Sequence, residues 1–66
     1  PIDYSSIPAS KYTVGRISKA FDIRGLFTYG LLLMYEEDVL LRMKGLGEMS
    51  LNAIRKHLKE KGINRY

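Results

Sequence analysis

The sequence predicts an all-α domain, a compact bundle of four to five short helices, and three observations support this. Apolar residues recur at helical spacing in two segments, Val14, Ile17 and Phe21 in the first half and Leu51, Ile54 and Leu58 in the second. Glycines stand where helices are expected to stop, at Gly25, Gly45 and Gly62. No stretch alternates polar with apolar as a half-buried strand would. At 66 residues, 45% hydrophobic and 27% charged, the chain makes one globular domain near the lower size at which a single core suffices.

Residues 1–9 carry both prolines and no periodicity, so they are expected to form a loosely packed N-terminal arm, with residues 10–66 as the domain. Ser10 is placed to cap the first helix, in which Gly15 costs up to about 1 kcal/mol relative to alanine. Gly25 ends that helix in the left-handed conformation, and Thr28 caps a short second helix over residues 29–34. Its run Leu31-Leu32-Leu33-Met34 is expected in the core. A third helix starts near Glu36, with Glu36, Glu37 and Asp38 in its first turn, where the helix dipole favours negative charge. That placement explains the acidic cluster without a metal, for which no further ligand stands nearby in sequence. Val39, Leu40 and Met43 should point inward. A last helix over residues 49–61 ends at Gly62-Ile63, a glycine stop followed by an apolar residue, the pattern of a Schellman cap.

Cysteine is absent, so neither a disulfide framework nor a thiolate metal site is available, consistent with a reducing compartment. The apolar run Leu31 to Met34 is far too short to span a bilayer, and the start lacks a signal-peptide pattern. The expectation is a soluble, cytoplasmic protein with no membrane partner, cofactor or small-molecule substrate. The chain opens at Pro1 without a methionine, which suggests processing or excision from something longer.

Net charge is +4, unevenly spread. From Arg42 onward seven cations, among them Lys44, Arg55 and Lys56, face only Glu48 and Glu60, whereas the residues before Arg42 sum to −1. Such clustering suits a face that meets polyanions, although a solvated helix surface also accumulates lysine.

Gly45-Leu46-Gly47 stands between two amphipathic segments. Both glycines can take positive φ, so the chain reverses quickly while Leu46 plugs between the helices. The start of the last helix then presents unpaired N–H groups around Gly47 to Ser50, reinforced by the helix dipole, as a site for phosphate. The Ser50 hydroxyl can add a hydrogen bond, and Arg42, Lys44, Arg55 and Lys56 can reach flanking phosphates. The alternative is a tight helix-to-helix connection with no ligand.

The stretch Gly25-Leu26-Phe27-Thr28-Tyr29-Gly30-Leu31-Leu32-Leu33, then Glu36 through Gly47, then Ser50-Leu51, Ile54 and Leu58 through Ile63, resembles the C-terminal domain of the bacterial RNA polymerase α subunit. The resemblance covers roughly residues 13 to 63 and is weaker in the first half. It implies a helix-hairpin-helix domain that binds duplex DNA in A·T-rich minor grooves and docks transcription regulators or RNA polymerase subunits. It further implies association with the nucleoid and no catalysis by the domain itself, although the domain would belong to a nucleotidyltransferase complex. Arg16 falls where that family has its principal DNA-contacting arginine, and a narrow A·T groove attracts such a side chain. The chain departs from the pattern at Lys19, where the family has asparagine, and at Glu48 and Met49, where it has basic residues.

The expected DNA-binding residues are therefore Arg16, Lys19, Lys44, Gly45, Gly47, Ser50 and Lys56, with no catalytic or metal residue. Glu48 and Met49 keep a second reading open, a protein-interaction module of the same fold that has lost DNA binding. His57, the single histidine, has no sequence neighbour that would make it a catalytic or metal group. Tyr12, Tyr29 and Tyr35 are expected at the core edge, Tyr4 and Tyr66 carry no signal, and Met34, Met43 and Met49 fill gaps.

Overall fold

Helix ends are where this sequence speaks most directly, and the computed structural model, which describes residues 1–63, places them as the capping residues dictate. Arg65 and Tyr66 lie outside the described residues. Helix α1 spans Lys11–Ile23, and the Ser10 hydroxyl accepts the Thr13 N–H at 3.2 Å. It closes at Gly25 with φ of 70°, where the Gly25 N–H donates to the Asp22 carbonyl and the Leu26 N–H to that of Phe21. This is a complete Schellman motif, and buried Leu26 supplies its apolar contact.

Helix α2 is a single turn, Tyr29–Leu32, capped by the Thr28 hydroxyl on the Leu31 N–H. Helix α3, Glu37–Leu41, has Glu37 and Asp38 in its first turn. Helix α4, Glu48–Glu60, starts from Gly47 and ends in a second Schellman motif. There the Gly62 N–H donates to the Lys59 carbonyl and the Ile63 N–H to that of Leu58. Helix α4 packs against both α1 and α3. The protein is all-helical, with no strand among the described residues.

One core unites the elements. Ile17, Phe21, Leu32, Leu40, Ile54 and Leu58 are its largest fully buried side chains, each stabilising the fold by about 1.5–3 kcal/mol relative to exposure. Leu46 is buried between α3 and α4, as expected of a plug in that turn.

The short helices correct part of the expected core. Leu32 and Leu40 are buried, but Leu31, Met34 and Val39 are exposed, because a one-turn helix lying on a core turns only one side of its run inward. Tyr12, expected at the core edge, is 73% exposed on the outer face of α1.

The N-terminal arm is packed rather than loose. Ile2 and Ile7 are buried in the common core, on either side of a 3-10 turn, Tyr4–Ser6. The Tyr4 ring packs against Phe21, and burial pushes its hydroxyl above the usual tyrosine pKa. The Asp3 N–H donates to the Tyr29 hydroxyl at 3.0 Å, and that hydroxyl is hydrogen-bonded to His57 Nε2 at 2.8 Å. His57 is thus a buried structural tie between arm, α2 and α4. The Asp3 carboxylate accepts from Ser6, Ser5 and Lys61, which hold its pKa far below the usual carboxylate range.

Candidate nucleic-acid interface

Helix α1 has two opposed faces. Ile17, Ala20 and Phe21 are buried on one, with Val14 half-buried beside them, while Tyr12, Arg16, Lys19 and Ile23 recur at i, i+4, i+7 and i+11 on the other. All four outward residues are exposed, and Ile23 is so at 71%.

The turn between α3 and α4 comes down beside this face. Gly45 has φ of 93°, a conformation that disfavours any side chain, and a Cβ there would stand 3.7 Å from the Ala20 Cβ and 4.0 Å from the Arg16 carbonyl. Small Ala20 leaves room for the turn beside the α1 backbone, and Lys44 lines one groove with Arg16 and Lys19. Only Gly45 needs the positive φ. Gly47 has φ of −122°, ordinary extended backbone at a helix start, so its expected left-handed conformation is not adopted.

The result is an open groove of about 480 Å³. Arg16, Lys19, Arg24 and Lys44 line it, Ala20 and Gly45 lie where its two sides meet, and Tyr12 and Ile23 add apolar surface. Among the described residues no carboxylate lines it. Arg24 is fixed by a bond from Nη1 to the Ala20 carbonyl at 3.1 Å, and the Arg16 guanidinium carbon stands 5.7 Å from the centre of the Tyr12 ring. Four positive charges around one concavity make an anion-attracting surface.

Of the residues expected from sequence, Arg16, Lys19, Lys44 and Gly45 come together here. Gly47 is exposed at the start of α4, which no side chain caps. Ser50 is only 7% exposed, because it falls on the side of α4 that faces the core, so its hydroxyl is not openly presented to a ligand. Lys56 opens instead onto a separate groove of about 270 Å³, with Pro8 and Ala9 of the arm, Met49 and Asn52.

Arg55, expected to reach phosphate, is exposed but forms an ion pair with Glu37 and donates to the Asn52 side chain at 2.7 Å, so a phosphate there would compete with a carboxylate. Glu48 does not intrude on the cationic groove. It lines a third hollow with Leu41, Asn52 and Arg55.

Sequence reasoning missed Arg24, Tyr12 and Ile23 as groove residues. The i, i+4, i+7, i+11 spacing of Tyr12, Arg16, Lys19 and Ile23 carried the signal for two of them. Arg24 lies just past the helix end, where spacing says nothing about direction.

Among the described residues, no group of three or more His, Cys, Asp or Glu side chains is placed to hold a metal ion, and no helix is long and apolar enough to cross a membrane. Fold and groove together define a small all-α domain with a cationic concavity built by its first helix and the turn before its last. No family model, curated protein or solved structure matches the chain.

Proposed function

We propose that the domain binds double-stranded DNA as a module of transcription, holding backbone phosphates in the groove between α1 and the Gly45 turn. In this reading Arg16 enters an A·T-rich minor groove, Lys19 and Lys44 neutralise phosphates, and the uncapped start of α4 at Gly47 offers a further anion contact. The turn through Gly45, Leu46 and Gly47 then acts as a helix-hairpin-helix, and transcription regulators or RNA polymerase subunits dock elsewhere on the domain. One observation carries the reading: Arg16, Lys19, Arg24 and Lys44 share a concavity that no carboxylate among the described residues lines.

Fluorescence anisotropy with a short A·T-rich duplex tests it. Counterions displaced by the four groove cations, Arg16 in the minor groove included, predict a salt slope of about −3.6, a loss of roughly a hundredfold in affinity between 50 and 200 mM salt. No binding at low salt would overturn the proposal. The second reading, a protein-interaction module of the same fold, draws on Met49, which is 80% exposed at the start of α4 in place of a cation. It would be favoured if Met49→Lys created duplex binding that the natural chain lacks.

A further inference from the structure

The groove holds more than phosphate-binding charge. Tyr12 and Ile23, both largely exposed, line it together with four cations. Isolated exposed apolar side chains are ordinary, but an aromatic ring interleaved with cations in one concavity is how proteins hold single strands, with phosphates on the charges and a base on the ring. The Arg16 guanidinium lies over the Tyr12 ring, and the tyrosine as a whole is 73% exposed. A continuous duplex has no use for that surface, because its bases are stacked on one another. An unpaired nucleotide does, since its base exposes a free π-face. The open groove, of about 480 Å³, is large enough to seat one nucleotide base.

We propose that this groove takes an unpaired nucleotide of a DNA strand, its base against Tyr12 and its flanking phosphates on Lys19 and Lys44. The domain then binds a duplex carrying a single-stranded extension more tightly than the same duplex with blunt ends. The inference rests on the DNA-binding reading and narrows it to junctions between paired and unpaired DNA.

The experiment measures anisotropy at low salt with a blunt A·T-rich duplex, the same duplex with a short thymidine extension, and the same duplex with an abasic extension of equal length. The thymidine extension is expected to tighten binding roughly tenfold over the abasic one, a gain set by base stacking. Tyr12→Ala brings that ratio to about one, whatever it does to the blunt duplex, and Tyr12→Phe keeps the ratio. Equal binding of the thymidine and abasic forms, or a ratio that survives Tyr12→Ala, would overturn the nucleotide site and leave the duplex reading standing. Binding of the thymidine form alone, with none of the blunt duplex, would uphold the nucleotide site and overturn the duplex reading. No binding to any of the three would overturn both.

Discussion

On the α1 side of the Gly45 turn, Arg16, Lys19, Arg24 and Lys44 face a groove that no carboxylate among the described residues lines. On the α3 side, Arg55 is held by Glu37 and Asn52, and at the far end of α4 Lys61 is held by Asp3 at 3.2 Å. The last third of the chain is the more basic in sequence, yet two of its cations are paired with carboxylates at the surface. Three of the four groove cations come from before Arg42, where the charge sums to −1. A cation is useful to a polyanion only where the fold leaves it without a carboxylate, and local sequence charge does not report that.

The contrast breaks most visibly by removing groove charge. Arg16→Ala combined with Lys44→Ala should weaken duplex binding roughly fiftyfold near 0.1 M salt and flatten the salt slope by about 1.8, at ~0.9 per displaced counterion. Arg55→Ala, in the same anisotropy assay, should leave affinity within about twofold and cost no more than about 1 kcal/mol of stability, the limit for a partly exposed ion pair. Equal losses from the two variants would erase the distinction between the regions.

Next in size is the close approach that assembles the groove. Ala20→Leu fills the space against Gly45 and should destabilise the domain by about 1–3 kcal/mol, read as a fall in melting temperature of about 4–8 °C for each kcal/mol in a domain of this size. Lys44 would then stand off from Arg16, so duplex affinity should fall as well. An unchanged affinity would show that the two cations act independently.

The two glycines of the turn sharpen the comparison further. Gly45→Ala places a side chain at φ of 93° and should cost about 1–2 kcal/mol. Gly47→Ser meets no atom within 4 Å, and the extended helix-start backbone suits a capping hydroxyl, so it should stabilise by roughly a few tenths of a kcal/mol. Chemical denaturation of both variants gives opposite signs if the turn is built as described.

The smallest effect lies at the Asp3 anchor. Hydrogen bonds from Ser6 and Ser5, then Lys61, lower its pKa in the folded protein, so its stabilisation is present above the unfolded value of about 3.9 and is lost as pH falls through the folded value. Melting temperatures of the natural chain and Asp3→Asn should differ at neutral pH, begin to draw together below about pH 4 and meet only below the folded value. Parallel curves across that range would show that Asp3 does not anchor the arm.

Much of the secondary structure was readable in advance. Ser10, Thr28, Gly25 and Gly62 marked helix ends because each acts on backbone groups three to five residues away. The groove was only partly readable. Arg16, Lys19, Lys44 and Gly45 were identified, whereas Ser50 was expected to contact phosphate and turned out buried, since nothing in its immediate neighbours says which side of α4 faces the core. The arm looked loose for a similar reason, as two isolated isoleucines show no period.

By itself the sequence determined that this chain is helical, where α1 and α4 begin and end, where α2 begins, and that a turn falls at Gly45. Those outcomes depend on contacts within one helical turn, which neighbouring residues decide. Helices α2 and α3 stop sooner, at Leu32 and Leu41, than their apolar runs suggest. The tertiary structure alone decided which charges meet a carboxylate, that Ile2 and Ile7 enter the core, and that Lys44 lines one groove with Arg16. Pairs such as Asp3 with Lys61 and Tyr29 with His57 lie far apart along the chain, and only the packing of the whole domain brings them within bonding distance.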